Sequence, residues 1–230
     1  MSTALARAQE LLAATEEATR LRGVHVLRDE VPDRAAAAAV LVRVLEDPGS
    51  YVPHAARAAL QDLGADAVPA LLAGLRSRES LVRSGCAWAL AREQGALATE
   101  VLTALGAHVH DEIVGVREAV AGALGRIDAA PGVREALLAQ LAEDGEARVR
   151  TQAVESLGAL PALSGAGVDA LAAALEDGRP AVRHAAAEAL ATVEPGDDLL
   201  SRVARALDEE PSEHVAAPLR ALLERWRPAR

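Results

Sequence analysis

The sequence contains no phenylalanine, lysine or asparagine, and its 230 residues include only two tryptophans and one tyrosine. Strands draw on β-branched and aromatic side chains, whereas the apolar half of this chain is mostly alanine, leucine and valine. Alanine, leucine and arginine are strong helix formers. These absences predict an all-α protein whose core is closed by small side chains.

Cysteine and long apolar runs are scarce as well. Cys86 is the single cysteine, so an internal disulfide is excluded, and we expect a small buried residue in a reducing compartment. The longest apolar run, Ala35 to Val42, is too short to cross a bilayer. Because residues 1–9 lack the layout of a signal peptide, we predict a cytoplasmic protein without a membrane partner.

Motifs for chemistry are absent or weak. His108 and His110 are spaced i, i+2 and would lie on opposite sides of a helix, unlike the pair of a zinc helix. Gly165 to Ala170 fits a loose dinucleotide fingerprint but follows no strand, so we predict a flexible turn between repeats. With no P-loop or nucleophile elbow either, we expect no catalytic residues, no metal and no cofactor.

A nine-residue pattern recurs along the chain. It reads V-R-H-A-A-A-E-A-L from Val182, and related segments begin at residues 52, 82, 116, 149 and 215. A period near 33 residues indicates an array of two-helix repeats. We predict one domain, 1–230, with repeats at about 1–31, 32–65, 66–97, 98–131, 132–166, 167–197 and 198–230.

The columns of this pattern separate core from surface. In the fifth repeat, Val149, Ala153 and Leu157 share one helix face and are predicted to be buried. Arginine recurs one residue after the valine column, and an acid recurs five residues before it. We interpret these as an Arg–acid ladder along the stack rather than as an anion site. Its members are Arg20, Arg83, Arg117, Arg150 and Arg183 with Asp47, Asp111, Asp144, Asp177 and Glu210.

The V-R-x-A-A-x-x-A-L helix after an acidic turn resembles the HEAT repeat, specifically the bacterial type named after phycobilin lyases. The resemblance extends over nearly the whole chain. It implies a right-handed α-α superhelix, a HEAT-like solenoid of about seven two-helix repeats in which the second helices line a concave groove. That family includes scaffolds, regulatory subunits, lyase subunits and some DNA glycosylases, so the resemblance implies a fold rather than an activity.

On this resemblance, the second, sixth and tenth positions after the valine column face the groove. The candidate partner-binding residues are His25, His54, Ser84, Trp88, Arg92, Glu118, Arg126, Thr151, Glu155, His184 and Glu188. Trp88 is a predicted interface anchor, since tryptophan is enriched in hot spots. The acids of this set favour a basic or mixed-charge protein or peptide as the partner.

We therefore predict a non-catalytic protein-binding scaffold or adaptor. One alternative is a subunit of a lyase-like or biosynthetic enzyme complex, with His54, His184, Glu155 or Glu188 as acid–base groups. Another is a HEAT-like DNA glycosylase, but the formal net charge of −10 makes nucleic acid a poor candidate partner. A second copy of the chain could also fill the groove and form a homo-oligomer.

Overall fold

The computed structural model describes residues 3–92, 95–127 and 130–226, and over these residues it contains helices and no strand. The first helices of the repeats are α1 (Thr3–Leu12), α3 (Arg34–Val44), α5 (Val68–Gly74), α7 (Ala98–Gly106), α9 (Pro131–Ala142), α11 (Gly165–Ala174) and α13 (Asp197–Glu209). The second helices are α2 (Glu17–Asp29), α4 (Val52–Leu63), α6 (Ser80–Leu90), α8 (Val114–Leu124), α10 (Ala147–Gly158), α12 (Pro180–Leu190) and α14 (Glu213–Arg225). A 3₁₀ turn, Gly64–Ala67, precedes α5. The predicted all-α solenoid of paired helices is confirmed.

The chain divides into two compact units. The first contains α1 to α8, and the second contains α9 to α14. Residues 124–126 belong to the second unit and Ile127 to the first. The assignment of a single 1–230 domain remains a prediction.

The valine column and its helical neighbours form the core, as predicted. In the fifth repeat Val149, Ala153 and Leu157 are fully buried. The same columns are buried in the second, third, fourth and sixth repeats, whereas in α14 Leu222 rather than Leu223 is buried. The leucines of the first helices complete this core: Leu41, Leu45, Leu71, Leu75, Leu171 and Leu175.

Small side chains let adjacent helices approach closely. A Cβ on Gly158 would lie 2.5 Å from the Ala189 Cβ of the next repeat, and one on Gly74 would collide with the Cys86 sulfur. Cys86 is fully buried, and its burial raises the pKa of the thiol to about 12. The prediction that Cys86 is a small core residue is confirmed by this burial, and the raised pKa disfavours the reactive thiolate.

The predicted Arg–acid ladder is present in both units. Arg20, Arg83, Arg150 and Arg183 each make a two-pronged contact to the acid of the following repeat through Nε and Nη2, at 2.6 to 2.9 Å. The pairs are Arg20–Asp47 and Arg83–Asp111 in the first unit, and Arg150–Asp177 and Arg183–Glu210 in the second. The arginine Nη1 also donates to backbone carbonyls in the turn before its own helix. Each pair therefore ties two repeats and a turn together.

The acids of the ladder also accept backbone hydrogen bonds at the start of the next helix. Asp47 accepts from the Gly49 N–H at 2.8 Å, and Glu210 accepts from the Ser212 N–H at 2.9 Å. The hydrogen bond from Arg20 lowers the pKa of Asp47, and that from Arg183 lowers the pKa of Glu210. Such groups favour the folded state when they are ionised.

The same balance holds for two more deeply placed acids of the ladder. Burial by itself would raise the pKa of Asp111 and Asp177, but the hydrogen bonds from Arg83 and Arg150 and from backbone N–H groups outweigh it. The net result is a lowered pKa for both carboxyl groups. The ladder therefore stabilises the fold at neutral pH with ionised acids.

The ladder is interrupted between the second and third repeats. Pro53 occupies the arginine position of α4, and Ser77 occupies the acid position before α6. The arginine and the acid of this pair are therefore both missing. The backbone N–H of Glu79, whose equivalent a carboxylate accepts in other repeats, is here accepted by the Ser77 hydroxyl at 3.1 Å. The exposed pair Arg34–Asp66 links these repeats, but exposed ion pairs contribute only about 0–1 kcal/mol.

The prediction of a flexible turn at Gly165 to Ala170 is wrong, because α11 begins at Gly165. The buried carboxylate of Glu135, on α9, accepts hydrogen bonds from the N–H groups of Ser164 at 3.1 Å and Gly167 at 2.7 Å, and from the Ser164 hydroxyl. This acid satisfies free backbone N–H groups at the helix start. A side chain from the preceding repeat thus starts a helix in a glycine-rich segment.

Candidate functional site

The second helices of the second unit form a recessed surface. Helices α10, α12 and α14 pack against one another more extensively than the first helices α9, α11 and α13. On that side lies a hollow of about 550 Å³, which we call the acidic hollow. Its polar lining is Thr151, Glu155, His184, Glu188 and His214.

The floor of the acidic hollow is made of glycine and alanine. Gly158 and Ala159 come from the end of α10, and Ala185 and Ala189 from α12. Gly158 and Ala189 are also the pair at which α10 packs closely on α12. The small side chains of the lining leave room for a side chain from outside.

Two carboxylates stand in the lining of the hollow. Glu155 and Glu188 are exposed and occupy the same position of adjacent second helices, whose axes are typically about 8–10 Å apart. Neither makes an ion pair with the residues that the structure describes, and Glu155 accepts a long hydrogen bond, 3.4 Å, from the Gln152 amide. They differ in this from the ladder acids, whose charges are neutralised within the fold.

His184 and His214 form a stacked pair in the same lining. Their ring centroids are 4.0 Å apart and their planes differ by 16°. The His184 Nδ1 lies 3.1 Å from the backbone carbonyl oxygen of His214, so Nδ1 carries the proton and donates it. This carbonyl would normally accept from the residue four positions on, which is Pro218 and has no N–H. His184 thus supplies the donor that the proline removes.

The structure therefore brings together four of the eleven predicted groove residues: Thr151, Glu155, His184 and Glu188. His214 was missed by the sequence analysis, because it lies one residue before the valine column. The same relation holds one repeat earlier, where Ala181, directly before Val182, lines the hollow together with Thr151, and only the packing of neighbouring repeats reveals it.

The predicted residues of the first unit lie on or just after its second helices. His25 is exposed on α2, and His54 is exposed on α4 with its Nδ1 3.0 Å from an Arg57 nitrogen. On α6 the Ser84 hydroxyl donates to the Leu81 carbonyl oxygen of its own helix. Trp88 is half-buried, and its backbone carbonyl accepts from the Gln61 amide at 3.0 Å.

The remaining three predicted residues flank the middle of the chain. Arg92 is exposed just after α6, Glu118 is half-buried on α8, and Arg126 is exposed just after α8. None of the eleven predicted residues is classed as buried. Their assignment to a partner-binding surface remains a prediction.

Two further findings concern other kinds of site. Among the described residues, no group of three or more His, Cys, Asp or Glu side chains is placed to hold a metal ion. Within those same parts of the chain, no helix has the length and apolar character needed to span a membrane.

Known structures are similar to this chain at low sequence identity, and those with TM-scores above 0.5 share its fold. YibA of Escherichia coli matches with a TM-score of 0.60 and 15% identity, over 98% of this chain and 93% of that one. An engineered protein matches with a TM-score of 0.58 and 18% identity over 100% of both chains. The complex of CpcE and CpcF of phycocyanin lyase from Nostoc sp. PCC7120 matches with a TM-score of 0.49 and 21% identity, over 98% and 96%.

The sequence itself decides the family. No curated protein matches it. The family model of HEAT repeats matches residues 68–158 and 135–224, which together make up more than half of the chain. With paired helices, the buried valine and leucine columns and the ladder between repeats, this match leads to one conclusion: the chain belongs to the HEAT-repeat family.

Proposed function

We propose that this chain is a non-catalytic scaffold that holds a basic segment of a partner protein against its second helices. The observation that carries the proposal is the acidic hollow, a recess of about 550 Å³ with Glu155 and Glu188 in its lining. Partner selection rests on electrostatic complementarity, which determines specificity and association rate more than affinity.

The acidic hollow suits binding because its helices and the His184 ring are held in place before a partner arrives. Glu155 and Glu188 project from packed helices, and His184 is fixed by its hydrogen bond to the next repeat. A partner therefore meets a preorganised surface and loses less conformational entropy on binding. The carboxylates remain hydrated until a cation displaces the water around them.

The predicted residues of the first unit are proposed as further contacts for the partner. They comprise His25, His54, Ser84, Trp88 and Arg92, and Glu118 joins them from α8. Trp88 is the proposed anchor of this set, because a half-buried indole can add apolar contact without unfolding its surroundings. Arg126 adds a positive charge, which suits a partner of mixed charge. We further propose that the chain acts in the cytoplasm as one domain.

The test is selection from a peptide library displayed on phage, with the intact protein immobilised. We expect enrichment of peptides rich in arginine and lysine on the wild-type protein. The double variant Glu155→Gln, Glu188→Gln should reduce the affinity of the enriched peptides by about thirtyfold, because each of the two lost contacts is worth on the order of 1 kcal/mol. Binding would be measured by fluorescence anisotropy.

A matched control distinguishes the effect of removing charge inside the hollow from the effect of lowering the net charge of the protein. Glu143→Gln with Glu194→Gln makes the same change in charge at two exposed positions outside the hollow, and it should leave affinity unchanged. Equal losses in both double variants would reduce the effect to general electrostatics. A library that yields no basic peptides would exclude the proposed function.

A further inference from the structure

We infer that the acidic hollow is a subsite for an arginine side chain of the partner, and that it prefers arginine to lysine. The inference rests on the proposed function and names the side chain that the site would recognise. The argument comes from the hydrogen-bonding capacity of the lining, one group at a time.

Four of the five polar groups of the lining, those of Thr151, Glu155, His184 and Glu188, are acceptors with no free proton to donate, whereas the ring of His214 brings one donor and one acceptor when it is neutral. The Thr151 hydroxyl donates to the Ala147 carbonyl oxygen at 3.0 Å within α10, so only its lone pairs face a ligand. His184 donates through Nδ1 to the His214 carbonyl oxygen, which leaves the other ring nitrogen, Nε2, as an acceptor in the neutral imidazole. Glu155 and Glu188, when ionised, accept only.

A lining in which four of the five polar groups only accept favours a ligand that donates and does not accept. Among protein side chains, arginine offers five N–H donors and no acceptor, and lysine offers three donors and no acceptor. A serine, asparagine or glutamine would bring its own lone pairs against this lining. The hollow therefore distinguishes the two cationic side chains from neutral polar ones.

The arrangement of the acceptors distinguishes arginine from lysine. Thr151 and Glu155 lie on α10, whereas His184 and Glu188 lie on α12, and adjacent helices are typically about 8–10 Å apart. A planar guanidinium extends its donors in several directions and reaches acceptors on both helices, whereas an ammonium is a compact point charge that is more strongly hydrated. The stacked rings of His184 and His214 add a flat surface on which a guanidinium can stack.

The test compares three short alanine–glycine peptides that carry arginine, lysine or citrulline at the same positions. Citrulline keeps the shape of arginine without the charge. With the intact protein near neutral pH, we expect the arginine peptide to bind roughly fivefold more tightly than the lysine peptide, and the citrulline peptide to show no binding, because both carboxylates require a cation. Fluorescence anisotropy gives the three affinities.

Variants then distinguish a preference for arginine from the general attraction of any cation to Glu155 and Glu188. Thr151→Val removes one neutral acceptor and His184→Phe removes another while keeping a flat ring. The combination should bring the ratio of arginine to lysine affinity close to one, with lysine binding nearly unchanged. Thr151→Val alone, which leaves the His184 contact to α14 intact, should lower the ratio about twofold.

The possible failures are distinguishable. If arginine and lysine peptides bind equally to the wild-type protein, the arginine subsite is excluded while the basic-partner scaffold survives. If neither peptide binds, the proposed function fails together with the inference. An arginine preference that persists in the Thr151→Val, His184→Phe protein, with circular dichroism showing an intact fold, would also overturn the assignment of the acceptors.

Discussion

The two units of the molecule share their interior and differ at their second-helix surfaces. Arg83–Asp111 in the first unit and Arg150–Asp177 in the second have nearly the same geometry. On the surface, the first unit presents the exposed apolar side chains Tyr51 and Leu81 just before and at the start of α4 and α6. The second unit presents the acidic hollow.

The comparison between the two units shows which columns of the repeat are constrained by packing and which are free to vary at the surface. Tyr51, Leu81 and His214 all occupy the position directly before the valine column, yet His214 joins a polar site whereas Tyr51 is 70% and Leu81 64% exposed. The interior columns repeat because every interface between neighbours needs the same packing. The surface columns are free to vary, and that freedom lets one fold display different chemistry in different repeats.

The largest expected effect tests whether the ladder serves both units equally. Arg83→Ala and Arg150→Ala each remove a nearly buried guanidinium and leave an acid without its partner. We expect each to lower the free energy of unfolding by about 3 kcal/mol, measured by urea denaturation. Arg34→Ala, in the exposed pair with Asp66, is the control and should cost less than about 1 kcal/mol. A large loss in one unit alone would break the comparison.

The second prediction tests whether Trp88 and the acidic hollow bind different parts of a partner. Trp88→Ala should leave the short arginine peptide at wild-type affinity, because the hollow lies wholly in the second unit. It should weaken a full-length partner by roughly thirtyfold, as expected for a hot spot worth about 2 kcal/mol. Isothermal titration calorimetry provides both affinities. A loss of short-peptide binding in the Trp88→Ala protein, with unchanged helicity, would contradict this division.

The smallest expected effect is the dependence of stability on pH. The folded-state pKa of Asp47, Asp111, Asp177 and Glu210 is lowered. Their contribution is therefore fully present above the unfolded values of about 3.9 for Asp and 4.3 for Glu, and it is lost as the pH falls through the folded values. The free energy of unfolding should decline below about pH 4.

A double variant tests the origin of that decline. Arg83→Ala with Asp111→Ala removes one pair, so the protein should lose less stability on acidification than the wild type does. Urea denaturation midpoints measured from neutral to acid pH give the slope of stability against pH for the wild type and for the variant. Identical slopes would mean that the ladder acids do not set the acid sensitivity.

The sequence predicted the fold well because the repeat makes the same physical demand many times. A valine column, an arginine after it and an acid before the helix recur often enough to reveal both burial and pairing. Four of the predicted groove residues, Thr151, Glu155, His184 and Glu188, line one hollow, because their positions in the repeat face away from the core; their role in binding remains a prediction.

What escaped prediction depends on contacts between repeats. His214 was missed because it meets His184 only when α14 packs beside α12, and Glu135 was missed because the helix it starts lies in the following repeat. The start of α11 was misplaced because glycine disfavours helices, whereas a buried carboxylate stabilises this one from outside. Local pattern does not show which side chain a neighbouring repeat will contribute.

The gap in the ladder at Pro53 and Ser77 has a mechanical consequence. In a solenoid each repeat is stabilised by its neighbours, so a weakened interface divides the array into segments that open separately. The first two repeats are joined to the third without the buried ion pair that ties the other repeats of this unit, and a pull on residue 3 should release them first. In a single-molecule force experiment, the interface between the second and third repeats should separate at a lower force than the interfaces that contain a ladder pair.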